Sequence, residues 1–204
     1  VTTTHPIHHP PEELLVDYAS GSLSDAESFL VETHLGYCPQ CRLAAGENDA
    51  VGGALLSALE PAQLPPNMLN RTLAAIDAES HNEPAAIAAA PASKAWRNLP
   101  GGYGMRRIES HGSGDARLWL VKAPPGKGLL KHRHVGEEWT VVMQGAFSDS
   151  TGAYGKGDFV ALGDGFEHQP VAGPGEDCVC LFLIRGQPVF TTMMGKLMAP
   201  FIQL

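Results

Sequence analysis

The stretch from Gly126 to Gly145 constrains this chain more than any other, because it carries His132, His134 and Glu138 at close spacing between two glycines. On a strand the side chains alternate faces, so His132 and His134 point the same way and can meet one ion. Glu138 joins them if a short bend returns it to that face. A fourth ligand then has to come from elsewhere in the sheet. His168, which ends the run Gly157-Asp-Phe-Val-Ala-Leu-Gly-Asp-Gly165-Phe-Glu-His168, is the residue that fits. Three imidazoles and a carboxylate form a donor set suited to zinc, with iron, manganese and nickel as alternatives. Glu137, beside Glu138, is expected to face the opposite side as a solvated carboxylate.

These two runs resemble the paired metal motifs of the cupin family. The first motif is glycine, five residues, H-x-H, three residues, glutamate, six residues, glycine, and each spacing is met. In the second, Gly157, Gly165 and His168 fit, while Gly163 stands where proline is usual and Ala172 where asparagine is usual. Those departures concern a turn and its packing rather than a ligand. The resemblance implies a small β-barrel or jelly roll holding a divalent metal. The sequence from Trp96 onward is consistent with this, since short apolar stretches alternate with Gly and Pro turns. Ala116–Val121, Trp139–Met143, Asp158–Leu162 and Cys178–Ile184 read as strands. Cys178 and Cys180 fall on one face of the last. They are either small core residues or thiols within reach of an oxidant that enters the metal pocket.

The period is different before residue 80. Glu12–Ala19 reads as a short helix, with acids in its first turn and Leu14, Leu15 and Tyr18 on one face. Ser24-Asp-Ala-Glu27 is a capping box opening a second helix, which Gly36 is expected to end. A third helix is expected over 39–59, with Leu43, Val51, Leu55, Leu56 and Leu59 available for burial and a kink or close approach at Gly52-Gly53. A fourth, over 67–77, carries Met68, Leu69, Leu73 and Ile76 as an apolar stripe. At the junction of the second and third helices, His34, Cys38 and Cys41 give three ligands to a tetrahedral zinc. The alternative for C-x-x-C, a redox dithiol, belongs after a strand in a βαβ unit, and that pattern is absent.

H-x3-C-x2-C is similar to the signature of zinc-binding anti-sigma domains. In the ChrR-type members of that family a histidine ahead of the first helix completes the site. His9 matches that position, with His5 and His8 close by. The resemblance also implies that the stripe on the fourth helix packs against a sigma factor. Taken from the residues alone, the stripe equally well completes the helical bundle.

The net charge of −8 is unevenly placed: residues 1–80 hold 11 acids against Arg42 and Arg71, and the remainder is nearly balanced. A strongly acidic helical unit repels nucleic acid and suits a basic protein partner. No apolar run approaches the roughly 18 residues of a membrane span, and no basic, apolar leader opens the sequence, so a cytoplasmic protein is expected. The cysteine spacings, C-x-x-C and C-x-C, are those of metal or redox thiols rather than of a secreted disulfide framework.

The expected organisation is α+β and multidomain. A zinc-stabilised helical bundle occupies 1–80, a small, Pro-punctuated flexible linker 81–95, and a cupin β-barrel or jelly roll 96–204. In this order the two motifs resemble the ChrR-type anti-sigma factors over nearly the whole chain, including the tail Gly195-Lys-Leu-Met-Ala-Pro-Phe201. The resemblance implies a non-enzymatic regulator that binds an extracytoplasmic-function (group IV) sigma factor. It implies release of that factor when singlet oxygen or an organic hydroperoxide acts on the cupin, without direct DNA or membrane binding. Two other readings compete: a metal-dependent cupin enzyme of dioxygenase or isomerase type with a helical adaptor, and an adaptor whose cupin only dimerises or binds a small ligand. No acid or base behind the cupin ligands can be assigned from the sequence.

Overall fold

The computed structural model describes residues 5–79, 95–108 and 116–193. Most of the expected linker and the whole tail from Gly195 lie outside them. Four helices come first: α1 (Glu12–Ala19), α2 (Asp25–Tyr37), α3 (Pro39–Ser57) and α4 (Met68–Glu79). The strands that follow are β1 (Arg97–Asn98), β2 (Gly104–Ile108), β3 (Arg117–Ala123), β4 (His132–Val135), β5 (Glu138–Gln144) and β6 (Ala146–Ser148). They continue with β7 (Ala153–Gly155), β8 (Phe159–Leu162), β9 (Glu167–His168), β10 (Val171–Ala172), β11 (Cys178–Ile184) and β12 (Gln187–Phe190).

The helix ends follow local chemistry. Ser24 accepts from the Glu27 N–H while the Glu27 carboxylate accepts from the Ser24 N–H, closing the capping box. Pro39 sits in the first turn of α3, where its missing N–H costs nothing. Gly36 does not end α2, which runs on to Tyr37; the break comes at Cys38, where the backbone turns extended. Nor do Gly52 and Gly53 mark a kink or a close approach, since α3 passes through them unbroken and no side chain among the described residues comes near either.

All strand pairs are antiparallel. A six-stranded sheet has the order β1-β2-β3-β11-β5-β8, and two three-stranded sheets have the orders β10-β6-β7 and β12-β4-β9. This is a cupin-like jelly roll whose barrel is not closed. Alternation along β11 divides its side chains between two cores. Cys178, Cys180, Phe182 and Ile184 enter a cluster with Phe147, Tyr154 and Ala172 of the smaller sheet. Leu181 and Leu183 point the other way and share a cluster with Leu118, Leu120 and Val141 of the sheet and with Leu14, Leu15, Leu30, Val31 and Leu35 of the helices. Leu30, Val31, Leu181 and Leu183 are fully buried. Burial of such a side chain is worth about 1.5–3 kcal/mol. The helical and β units are therefore joined through a common apolar core, with α2 lying on β5 and β11.

Polar contacts flank that core. The Ile7 and His8 N–H groups donate to Asp158 Oδ1 at 2.7 and 3.0 Å. The Phe159 N–H donates to the His8 carbonyl at 3.0 Å, extending β8 by a strand-like contact. Arg185 bridges Glu27 of α2 and Glu137 and lies over the Trp139 ring. Gly157, at φ +89°, sits so close under Pro6 and Tyr37 that a Cβ there would come 2.6–2.7 Å from their side chains.

A further expectation fails. Leu43, Val51, Leu55, Leu56 and Leu59 of the third-helix region are exposed, 61–70% of their surface in each case. Of the helix itself, only Cys41 and Ala45 are buried, because α1 and α2 cover its first turns and nothing among the described residues covers the rest. Met68, Leu69, Leu73 and Ile76 are likewise exposed, so the α4 stripe does not complete a bundle among the described residues.

Candidate metal centres and their family

The first group of donors is His9, His34, Cys38 and Cys41, whose ligand atoms lie within 4.8 Å of one another. Cys38 stands at the α2–α3 break, where its Sγ accepts from the Cys41 N–H at 3.4 Å. His9 Nδ1 lies 3.4 Å from Cys38 Sγ and 3.3 Å from Cys41 Sγ. His34 Nδ1 is 2.7 Å from the Gly157 carbonyl, so it carries the proton and donates. That leaves the buried His34 Nε2 with no hydrogen-bond partner. An orphaned lone pair aimed at two thiols is the mark of a metal site. Burial, then the contact with Cys38, pushes the Cys41 thiol up to about 12, so a thiolate there calls for a cation. His8 instead pairs with Asp158 at 3.2 Å, and His5 is exposed and outside the group.

The second group is His132, His134, Glu138 and His168, again with ligand atoms within 4.8 Å and all buried. β4 supplies the two histidines on one face, and a turn at Gly136, with φ +103°, returns the chain so that Glu138 opens β5 beside them. His168 is the direct cross-strand partner of His132. His168 Nε2 lies 2.9 Å from His134 Nε2 and 3.2 Å from His132 Nε2. Their other nitrogens are accounted for: His132 Nδ1 donates to the Leu130 carbonyl at 2.8 Å and His168 Nδ1 to Asp149 Oδ2 at 2.7 Å. The Nε2 atoms of these two rings thus face each other as lone pairs, an arrangement that a cation stabilises and a proton cannot serve in full. Burial lowers the pKa of His132 to about 4 and of His134 to about 3, keeping both neutral as ligands require. Burial pushes Glu138 up to about 8, so its carboxylate form also needs positive charge nearby. Both groups fit a metal ion.

Asp149 is the functional residue that sequence reasoning missed. It lies in the β6–β7 turn, where the Thr151 N–H and hydroxyl hold Oδ1 and leave Oδ2 for His168. A carboxylate behind a ligating histidine fixes its tautomer and raises its basicity. Cys178 and Cys180 lie close by, with Sγ atoms 3.6 Å apart. Together with Glu138, His168 and Asp149 they line a cavity of about 20 Å³, room for a single water. The contact with Cys178, then burial, raises the Cys180 pKa. Glu137 is half exposed and paired with Arg185 at 3.0 Å.

Comparison with known proteins gives a consistent picture. Residues 84–187 match the model of the ChrR cupin-like domain, and residues 12–42 match a zinc-finger family described as putative. The chain is 36% identical to the anti-sigma-E factor ChrR of Cereibacter sphaeroides over 211 residues, covering 97% of this chain and 98% of the relative. It superposes on the crystal structure of Rhodobacter sphaeroides SigE in complex with the anti-sigma ChrR with a TM-score of 0.71. The sequence identity there is 38%, over 87% of this chain and 98% of that one. Both relatives are anti-sigma factors by name. A helical unit with a His₂Cys₂ group, joined to a cupin-like unit with a His₃Glu group, matches the first of them from end to end: the chain belongs to the ChrR family of anti-sigma factors.

Proposed function

We propose that this protein sequesters an extracytoplasmic-function sigma factor in the cytoplasm, away from RNA polymerase, and frees it when an oxidant acts on the cupin unit. The observation that carries this reading is the exposed apolar surface of α3 and α4. Leu55, Leu56, Leu59, Leu69, Leu73 and Ile76 remain 49–70% exposed on an acidic unit. Large apolar side chains exposed in number on neighbouring stretches of sequence mark an interaction site, and the acids among them complement the basic surface a sigma factor presents to DNA. The structural relative bound to SigE supports the choice of partner.

In this reading the His9, His34, Cys38 and Cys41 group holds a structural zinc, since a closed four-ligand His/Cys set leaves no open position. The cupin group holds a divalent metal, zinc by preference. The oxidant, singlet oxygen or an organic hydroperoxide, enters there, with Cys178 and Cys180 as the oxidisable thiols at its edge.

The test is co-purification of the full chain with a group IV sigma factor. The double variant Leu69→Glu/Leu73→Glu is expected to weaken binding at least tenfold with its circular dichroism unchanged, and chelation is expected to abolish binding. His132→Ala and Glu138→Ala should still bind the sigma factor but no longer release it on exposure to oxidant. Normal release by both variants would remove the cupin from the mechanism. A full chain that binds no sigma factor would overturn the reading altogether.

A further inference from the structure

A cavity of about 280 Å³ lies against the cupin donor group and is almost wholly apolar. Met105, Val121, Phe182, Ile184 and Phe190 are among its walls, and the metal-ligating side chains that reach it are His132 and Glu138. Tyr103 also borders it, but its hydroxyl is already committed to the Gly128 carbonyl at 2.7 Å. A molecule in this space therefore meets solvent at the open mouth and hydrocarbon along the walls, except at the edge where His132 and Glu138 would hold an ion.

Charge selects the head group of such a molecule. With three imidazoles and one carboxylate as ligands, a divalent ion keeps a charge of +1 on the side of this cavity, since the Asp149 carboxylate lies behind His168 and outside the cavity wall. In apolar surroundings an uncompensated charge is costly, and a single anionic oxygen donor cancels it. Size selects the tail: on the measure by which a cavity of about 20 Å³ takes one water, 280 Å³ takes a chain of on the order of ten non-hydrogen atoms. The wall offers no second polar partner, which disfavours sugars, amino acids and other ligands with two polar ends.

We propose that the cupin unit binds a medium-chain aliphatic monocarboxylate, its head group on the metal between His132 and Glu138 and its tail in this cavity. The proposal needs a divalent ion in the cupin group but does not depend on sigma sequestration, so the two stand or fall separately.

The experiment is isothermal titration calorimetry of the full-length protein, with metal content measured first, against butyrate, hexanoate, octanoate and octanol. Octanoate is expected to bind saturably at one site per chain, and each methylene removed should weaken binding about fourfold. Octanol should bind at least tenfold more weakly than octanoate. Leu99→Trp, and at a separate wall Pro188→Trp, should each weaken octanoate binding at least tenfold while metal content is unchanged. Affinity independent of chain length would mean a carboxylate meeting an accessible ion and would overturn the proposal. So would octanol binding as tightly as octanoate, or absence of octanoate binding by protein with a filled cupin site. Co-purification with the sigma factor, run on the same preparation, tells this failure from a failure of the anti-sigma reading.

Discussion

The carboxylate of Asp149 does for His168 what the Leu130 carbonyl does for His132: each accepts a hydrogen bond from Nδ1–H and leaves Nε2 free to bind an ion. Replacing Asp149 by alanine is expected to lower metal affinity at the cupin group by about 10- to 100-fold while leaving the His/Cys group intact, as competition with a chelator would show. Most of the donors that the structure brings together were legible because their spacing is local and has a physical period: two residues on a strand, one turn at a helix junction. Asp149 was not. Ser148-Asp-Ser-Thr-Gly152 reads as an ordinary Asx turn, and it does form one, with Thr151 satisfying Oδ1. Only the fold brings the remaining oxygen to His168. His9 was distinguishable from His8 through a family resemblance; in the structure Asp158 takes His8, so the neighbouring side chain turns to the cysteines.

Among the helices, periodicity reported which side chains lie together but not what covers them. Leu30 and Leu55 both sit in apolar helical patterns, yet Leu30 is fully buried and Leu55 is 68% exposed. Leu30→Ala is accordingly expected to cost about 2–5 kcal/mol, whereas Leu55→Gln should change stability by no more than about 0.5 kcal/mol. Denaturant unfolding of the two variants side by side checks this contrast, and an equal cost would mean that α3 is covered in solution. The strands were legible where they are long. β11 has the bounds its composition suggested, while the two-residue strands β1, β9 and β10 are too short for any alternation to register.

At the scale of the whole molecule the sequence suggested two units on a tether, and the structure adds a shared apolar core with a polar border. That contact joins residues far apart in the chain, such as Ile7 with Asp158 and Glu27 with Arg185, and no local pattern announces it. It has a signature in pH. Burial alone would raise the Asp158 pKa, but the N–H groups of Gly155, His8 and Ile7 outweigh it and hold the carboxyl below its ordinary value. Glu27 is likewise held low against burial, by Ser24 and Arg185. A carboxyl whose folded pKa is depressed stabilises the fold above its unfolded pKa, about 4, and that contribution fades as pH falls through the folded value. Melting temperature followed from pH 6 to pH 3 should therefore fall less steeply for Asp158→Asn than for the native chain. The difference should vanish below the folded pKa, where the native carboxyl is itself protonated. Parallel curves would exclude Asp158 as a contributor.

The bond from His34 to the Gly157 carbonyl has a consequence for anyone who takes the molecule apart. A helical unit cut free of its neighbour retains four donor side chains, yet the oxygen that dictates which nitrogen of His34 carries the proton stays behind with the other half. The ring is then at liberty to spin and to exchange tautomers. The excised unit keeps the same residues without having the same ligand.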